Sequence, residues 1–202
     1  QLREGIPLSI SYPLDLPTSI GFAEIELRAR NAVAISQSPF TFATQTHSYS
    51  GQMWSATVSI PPVRRDLAEP WVAFLLALRG PIGTFLLGDP NCPEPQGTAT
   101  SATISGSTGD SSVSVVMSGS LLAGDYIQLG SGADATLHKV LQDQTGDGTL
   151  EIWPALRKNR VSESATLNNA KGVFRLTGQE QNWSINNSNT YGISFECMEA
   201  IS

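Results

Sequence analysis

The chain has 202 residues, a net charge of −6, 40% hydrophobic residues and only 15% charged ones. That is enough apolar material for one substantial core or two small ones, and too little positive charge for a nucleic-acid or anionic-membrane surface. No apolar run approaches the ~20 residues of a membrane span, so membrane insertion is not expected.

In chain order, the first 16 residues read as an extended, proline-bounded arm in which Ile6, Leu8 and Ile10 alternate with Pro7, Ser9 and Ser11. Such an arm is a candidate interface, able to pair at a sheet edge or on a neighbouring subunit. From Ala23 to Arg30 the alternation of Ala23, Ile25, Leu27 and Ala29 with Glu24, Glu26, Arg28 and Arg30 predicts a strand with one wet face. Phe40 and Phe42 are expected to open a second strand towards His47, with a turn at Ser48 to Gly51. A further strand places Trp54, Ala56, Val58 and Ile60 on its inner side and ends at Pro61 and Pro62.

The stretch from Asp66 to Gly80 carries the single convincing helical signature. Leu67, Trp71, Phe74, Leu75 and Leu78 recur at helical spacing and are the expected core face. Asp66 and Glu69 are placed for a capping box, Arg79 for the last turn, and Gly80 with Pro81 for the stop. Val72, Ala73, Leu76 and Ala77 make the other side apolar as well. Val72 and Leu76 are therefore expected to face a partner.

After Asp89-Pro90 the chain becomes Pro-rich, and short strands follow between Gly/Asp/Ser turns. Six are expected: 102–104, 113–117, 125–129, 135–141, 150–153 and 165–167. The expected organisation is mainly β. Residues 1–92 and 172–202 form a β-sandwich core domain with the helix, and residues 98–171 an inserted small β-barrel or β-sandwich. Arg157, Lys158 and Arg160 are the basic cluster, read either as a solvated turn or as a contact for an acidic partner.

Catalytic signals are poor. There is no GxSxG, the two histidines His47 and His138 stand apart, and the acidic residues are scattered over strand faces and turns. Cys92 and Cys197 are too few for a disulfide framework and lack metal-ligand spacing. No enzymatic activity, metal or cofactor is expected.

The runs WSATVSIPPV and AEPWVAFLLALRGPIGTFLLGDPNCPEPQG, followed by GDYIQLG, HKVLQD and GTLEIWPALR, resemble the pattern of tailed-bacteriophage distal tail proteins of the tail tip or baseplate. The resemblance spans roughly residues 53–176 and contains no catalytic motif. It implies a virion structural protein, assembled in the host cytoplasm and placed at the tail tip. There it would form a homo-oligomeric, hexameric ring joining the tail tube protein to the hub and fibre proteins, with DNA passing through the lumen without specific binding. The alternative is a secreted or virion carbohydrate-binding module recognising a host-surface glycan, consistent with the Ser/Thr/Asn-rich composition and the four tryptophans.

Overall fold

The computed structural model describes residues 10–187 and 189–201. Ile6 and Leu8 of the expected arm lie outside the described residues. The chain is mainly β, with one α-helix and antiparallel sheets.

The first sheet is built around the alternating segment of β2 (Thr44–Arg64), flanked by β1 (Glu24–Gln37). The register sets Ile25 opposite Val58, Leu27 opposite Ala56 and Ala29 opposite Trp54. On the other side of β2, the last strand of the chain (Thr190–Glu199) brings Phe195 opposite Val58 and Cys197 opposite Ala56. Apolar side chains from three strands thus line up on one face, because the side-chain period is two on each. Glu26, Thr57 and Glu196 line up on the other.

Pro61 and Pro62 do not end the strand; β2 continues through them to Arg64. By that point β1 has run out, since Glu24 already pairs with Ser59, and the partner strand carries a register shift between Tyr191 and Ile193. Prolines are tolerated where no ladder donor is demanded of them.

α1 (Arg65–Ala77) follows directly. Trp71, Phe74, Leu75 and Leu78 are buried, and so are Ala68 and Val72. Leu67, expected in the core, is 37% exposed, while Val72, expected to face a partner, is buried. Both differences have one cause. The buried face is centred a residue later than predicted, on Ala68, Trp71, Val72 and Leu75, which is the i, i+3, i+4, i+7 stripe that seats the bulk of Trp71 against Phe22 and Phe195. The capping box is also absent. The helix starts before Asp66, its N-cap Arg64 makes no side-chain cap bond, and Glu69 instead accepts from Arg65 at 2.9 Å. At the far end Arg79 (φ 52°) and Gly80 (φ 70°) are both left-handed, and Gly83 returns a bond to the carbonyl of Leu78 at 2.8 Å.

β3 (Thr84–Leu87) then enters the sheet at its other edge. That edge is covered by the chain itself. Leu14 donates to Thr84 and accepts from Leu86, and Tyr12 holds the segment by donating to the carbonyl of Ala77 at 2.7 Å.

The second assembly of strands comprises β4 (Ala102–Gly106), β5 (Ser112–Met117), β6 (Ser120–Leu121), β7 (Tyr126–Leu129), β8 (Thr136–Val140), β9 (Gln144–Thr145), β10 (Gly148–Trp153) and β11 (Arg160–Ala165). Six of them run in the order β11-β4-β5-β10-β8-β7, and β6 pairs with β9. Gln128 and Thr166 exchange two main-chain bonds of 2.9 Å, so β7 meets the end of β11 and the sheet becomes nearly closed. Its interior holds Ile104, Val115, Leu129, Leu150 and Ile152. Residues 157–158 form a bend, and β11 starts at Arg160, five residues before the strand expected at 165–167, and ends at Ala165. β12 (Gly172–Leu176) pairs with β3 and with the last strand, while β13 (Trp183–Ile185) leads by a hairpin into that strand, β14 (Thr190–Glu199).

The barrel-like sheet is fastened to the first by directed polar contacts. Trp54 Nε1 donates to the carbonyl of Leu137 at 2.9 Å, and Trp153 Nε1 to Asn31 Oδ1 at 2.8 Å. The two indoles meet edge to face, 4.5 Å between centroids. Leu137 and Tyr126 join the core of the first sheet.

Candidate interaction surfaces

The basic cluster is spent internally. Arg157 forms a buried ion pair with Glu199 at 2.7 Å and donates to the carbonyl of Gln52 at 2.6 Å. Lys158 and Arg160 both reach Asp134, at 2.6 and 2.7 Å, and Arg160 also reaches Glu163. Lys158, followed by Arg160, holds the Asp134 carboxyl below the usual carboxylate range. Three cations within four residues therefore fasten the barrel to itself and to the C-terminal strand. With their charge matched by carboxylates, they leave little to attract an acidic partner.

The two thiols are free. Burial pushes Cys197 up to about 12 and raises Cys92, so neither is a nucleophile near neutrality. Among the described residues no group of three or more His, Cys, Asp or Glu could hold a metal ion, and no helix is long and apolar enough to cross a membrane.

His138 is fully buried in β8. Its Nδ1 lies 2.7 Å from the carbonyl of Pro154 and must carry the hydrogen there, which leaves Nε2, 2.9 Å from the Thr136 hydroxyl, to accept. Burial, aided by the nearby Arg157 and Arg160, lowers its pKa to about 4. With the folded value below the ordinary 6.5, the unfolded chain binds more protons on the acid side. The contribution to stability is thus whole above pH 6.5 and lost as pH falls towards 4. The loss should reach roughly 3 kcal/mol. Urea titrations at pH 7 and pH 4 should show it, and a His138→Asn variant should show a smaller pH dependence.

The distinctive surface lies elsewhere. Beyond a register shift at Asn31/Val33, β1 and β2 continue as a two-stranded ribbon, with Val33 paired to Ser48 and Gln37 to Thr44. Every residue in both arms of this ribbon is exposed. It ends in a loop bearing Phe40 and Phe42, 91% and 73% exposed, with Ile35 at 70% beside it. Phe40 and Phe42 therefore do not open a strand, and no turn interrupts β2 at Ser48 to Gly51. The loop is held by Ser38, whose N–H donates to the carbonyl of Ala43 and whose carbonyl accepts from Phe42, with Phe42 itself left-handed at φ 55°. Phe42 is thus held in water on a strained backbone, with Phe40 two residues before it in the same loop.

Other exposed apolar residues are more scattered. Leu76 and Ala73 face outward on α1, and Ile82 follows on the turn into β3. Ile10 is exposed at the first described position. A polar cleft of about 300 Å³ lies on the outer side of the first sheet between Thr57, Ser194, Glu196 and the segment from Thr177 to Asn182. The Thr57 hydroxyl is buried there without a partner, and Trp183, next in sequence to Asn182, is partly exposed. Trp153, by contrast, is packed against Trp54 and turned inward.

The ribbon could not be read from the sequence, since its apolar alternation is confined to Val33 and Ile35, which lie opposite Ser48 and Thr46 on an otherwise polar second arm. The signal that was available is the pair of aromatics in SPFTF, bounded by Ser and Pro and flanked by Thr and Gln, which suits a loop better than a strand start. A scan against protein-family models and a search of curated proteins returned no match to this chain.

Proposed function

We propose that this protein is a structural subunit without catalytic activity, a distal tail protein that assembles into a ring at a phage tail tip between the tail tube and the hub. The observation that carries the proposal is the projecting ribbon. A two-stranded ribbon alone is marginal in water, and one that ends in two exposed phenylalanines exposes apolar area that a monomer gains nothing from. Seated on a neighbouring subunit, the same feature becomes an anchor, because buried aromatic side chains dominate interface energies. A ring needs a heterologous contact repeated until it closes, with one patch that reaches and another that receives. The ribbon reaches; the outward side of α1 at Leu76 and Ala73 is a candidate receiver. The net charge of −6 suits a lumen that lets a polyanion pass without holding it.

The test is the solution mass of the full chain together with electron micrographs of the purified protein. Rings are expected for the parent, and a Phe40→Ser/Phe42→Ser variant should remain folded by circular dichroism while losing them. A parent that stays monomeric at high concentration overturns the proposal. It would then favour the sugar-binding alternative, for which the polar cleft beside Trp183 is the candidate site.

A further inference from the structure

The two edges of the first sheet are treated differently. The β3 edge is covered by the segment around Leu14, whereas β1 ends the sheet and, among the described residues, no strand pairs with its outer side. Long open edges are a hazard unless they are blunted or used.

Which main-chain groups point outward follows from the ladder. The carbonyl of Glu196 is turned away from β2, because it accepts from Thr177. Main-chain direction alternates along antiparallel strands, so Thr57, opposite Glu196, turns towards β1, and Glu26, opposite Thr57, is taken up by β2. Ile25, Leu27 and Ala29 are therefore the residues that offer free N–H and C=O groups at the edge.

The charges on the same stretch have a matching order. Glu24 and Glu26 precede Leu27, while Arg28 and Arg30 follow it. Within one strand this puts like charges side by side, Glu24 with Glu26 and Arg28 with Arg30, relieved by a single exposed pair between Arg28 and Glu26. Against a second copy running antiparallel about Leu27, every charge meets its opposite: Glu24 meets Arg30 and Glu26 meets Arg28, twice over by symmetry. These pairs fall at the non-hydrogen-bonded positions, where facing side chains come closest, while the free groups of Ile25, Leu27 and Ala29 meet their counterparts directly.

We propose that β1 is a self-complementary edge through which two copies of this chain pair antiparallel about Leu27, joining their first sheets into one. The contact is isologous and closes after two copies. It is therefore distinct from the heterologous contact of a ring and would pair either two free subunits or two rings. With a short edge and exposed charges, it should be weak and weakened further by salt.

Charge reversal tests it. Glu24→Arg/Glu26→Arg makes all four positions basic, and Arg28→Glu/Arg30→Glu makes all four acidic. The parent at low salt should show a concentration-dependent species of doubled mass by sedimentation, of subunit or of ring. Each variant alone should lose it, and an equimolar mixture of the two should regain it. The idea is overturned if the parent shows no doubling, if either variant retains it, or if the mixture fails to restore it. Loss of rings in the Phe40/Phe42 variant leaves this readout untouched, so the two proposals fail separately.

Discussion

Replacing Glu199 by Ala is expected to destabilise the protein by about 3–5 kcal/mol, because it strands a guanidinium that is nearly out of water. Arg157 is only 14% exposed and Glu199 6%. One Glu199 oxygen also accepts the N–H of Trp54 at 3.1 Å, so the substitution leaves a second buried donor unpaired. The double variant Arg157→Met/Glu199→Leu should cost far less than the sum of the single changes, since it removes the charge together with its partner. Denaturant titrations of Glu199→Ala, of Arg157→Met, of Glu199→Leu and of the double variant provide the check. Equal and additive losses would mean that the pair is an ordinary surface bridge.

Trp71→Ala should cost a similar 3–5 kcal/mol through the cavity it leaves. The ring is 1% exposed, in contact with Phe22, Phe74 and Phe195, and so joins helix, sheet and entry segment. Trp71→Phe is expected to cost much less than its lost volume implies. The indole Nε1 is buried without a partner, so the tryptophan carries a desolvation penalty that phenylalanine lacks. Trp54→Phe should behave oppositely, because its Nε1 serves the carbonyl of Leu137 and deletion orphans that oxygen. Thermal melts of the two phenylalanine variants would separate these cases.

The elements that were legible in sequence are those whose burial alternates at one period over their length. β2 from Trp54 to Ile60 and β5 from Val113 to Met117 have that property, and both lie where their side chains predict. The helix was legible as a helix and in four of its five expected core residues, Trp71, Phe74, Leu75 and Leu78, but not at the edges of the buried face. Leu67 and Val72 are equally apolar, and only the seating of Trp71 on the sheet decides which is covered. β11 is placed too late by the sequence pattern, at 165–167 rather than from Arg160, because it carries polar side chains on an exposed face, and because Arg160 looks like a surface charge until Asp134 and Glu163 are folded beside it. Apart from Glu163, the charged partners of 157–160 are Asp134 and Glu199, from distant parts of the chain, so no local pattern announces them. The same holds for the ribbon, whose length is set by pairing of Val33–Gln37 with Thr44–Ser48 rather than by an apolar period.

The joint between the barrel and the first sheet has a mechanical consequence. Two covalent crossings link them, Gly88 to Ser101 and Thr166 to Lys171, and the first, rich in proline, is bound along the barrel, with the N–H groups of Gln96 and Gly97 donating to Asp125 and that of Ala99 to the carbonyl of Ser120. Besides the bond from Trp54 to the carbonyl of Leu137, directed bonds run from the segment Trp153–Arg157 to Asn31, Gln52 and Glu199. Those acceptors lie on three adjacent strands, β1, β2 and β14, at one end of the sheet. A pull on the barrel is therefore divided among several strands by groups that resist shear together. The joint should yield in one step when those groups part. In a single-molecule extension experiment, that step would precede unravelling of either sheet and would come at lower force when Glu199 is removed.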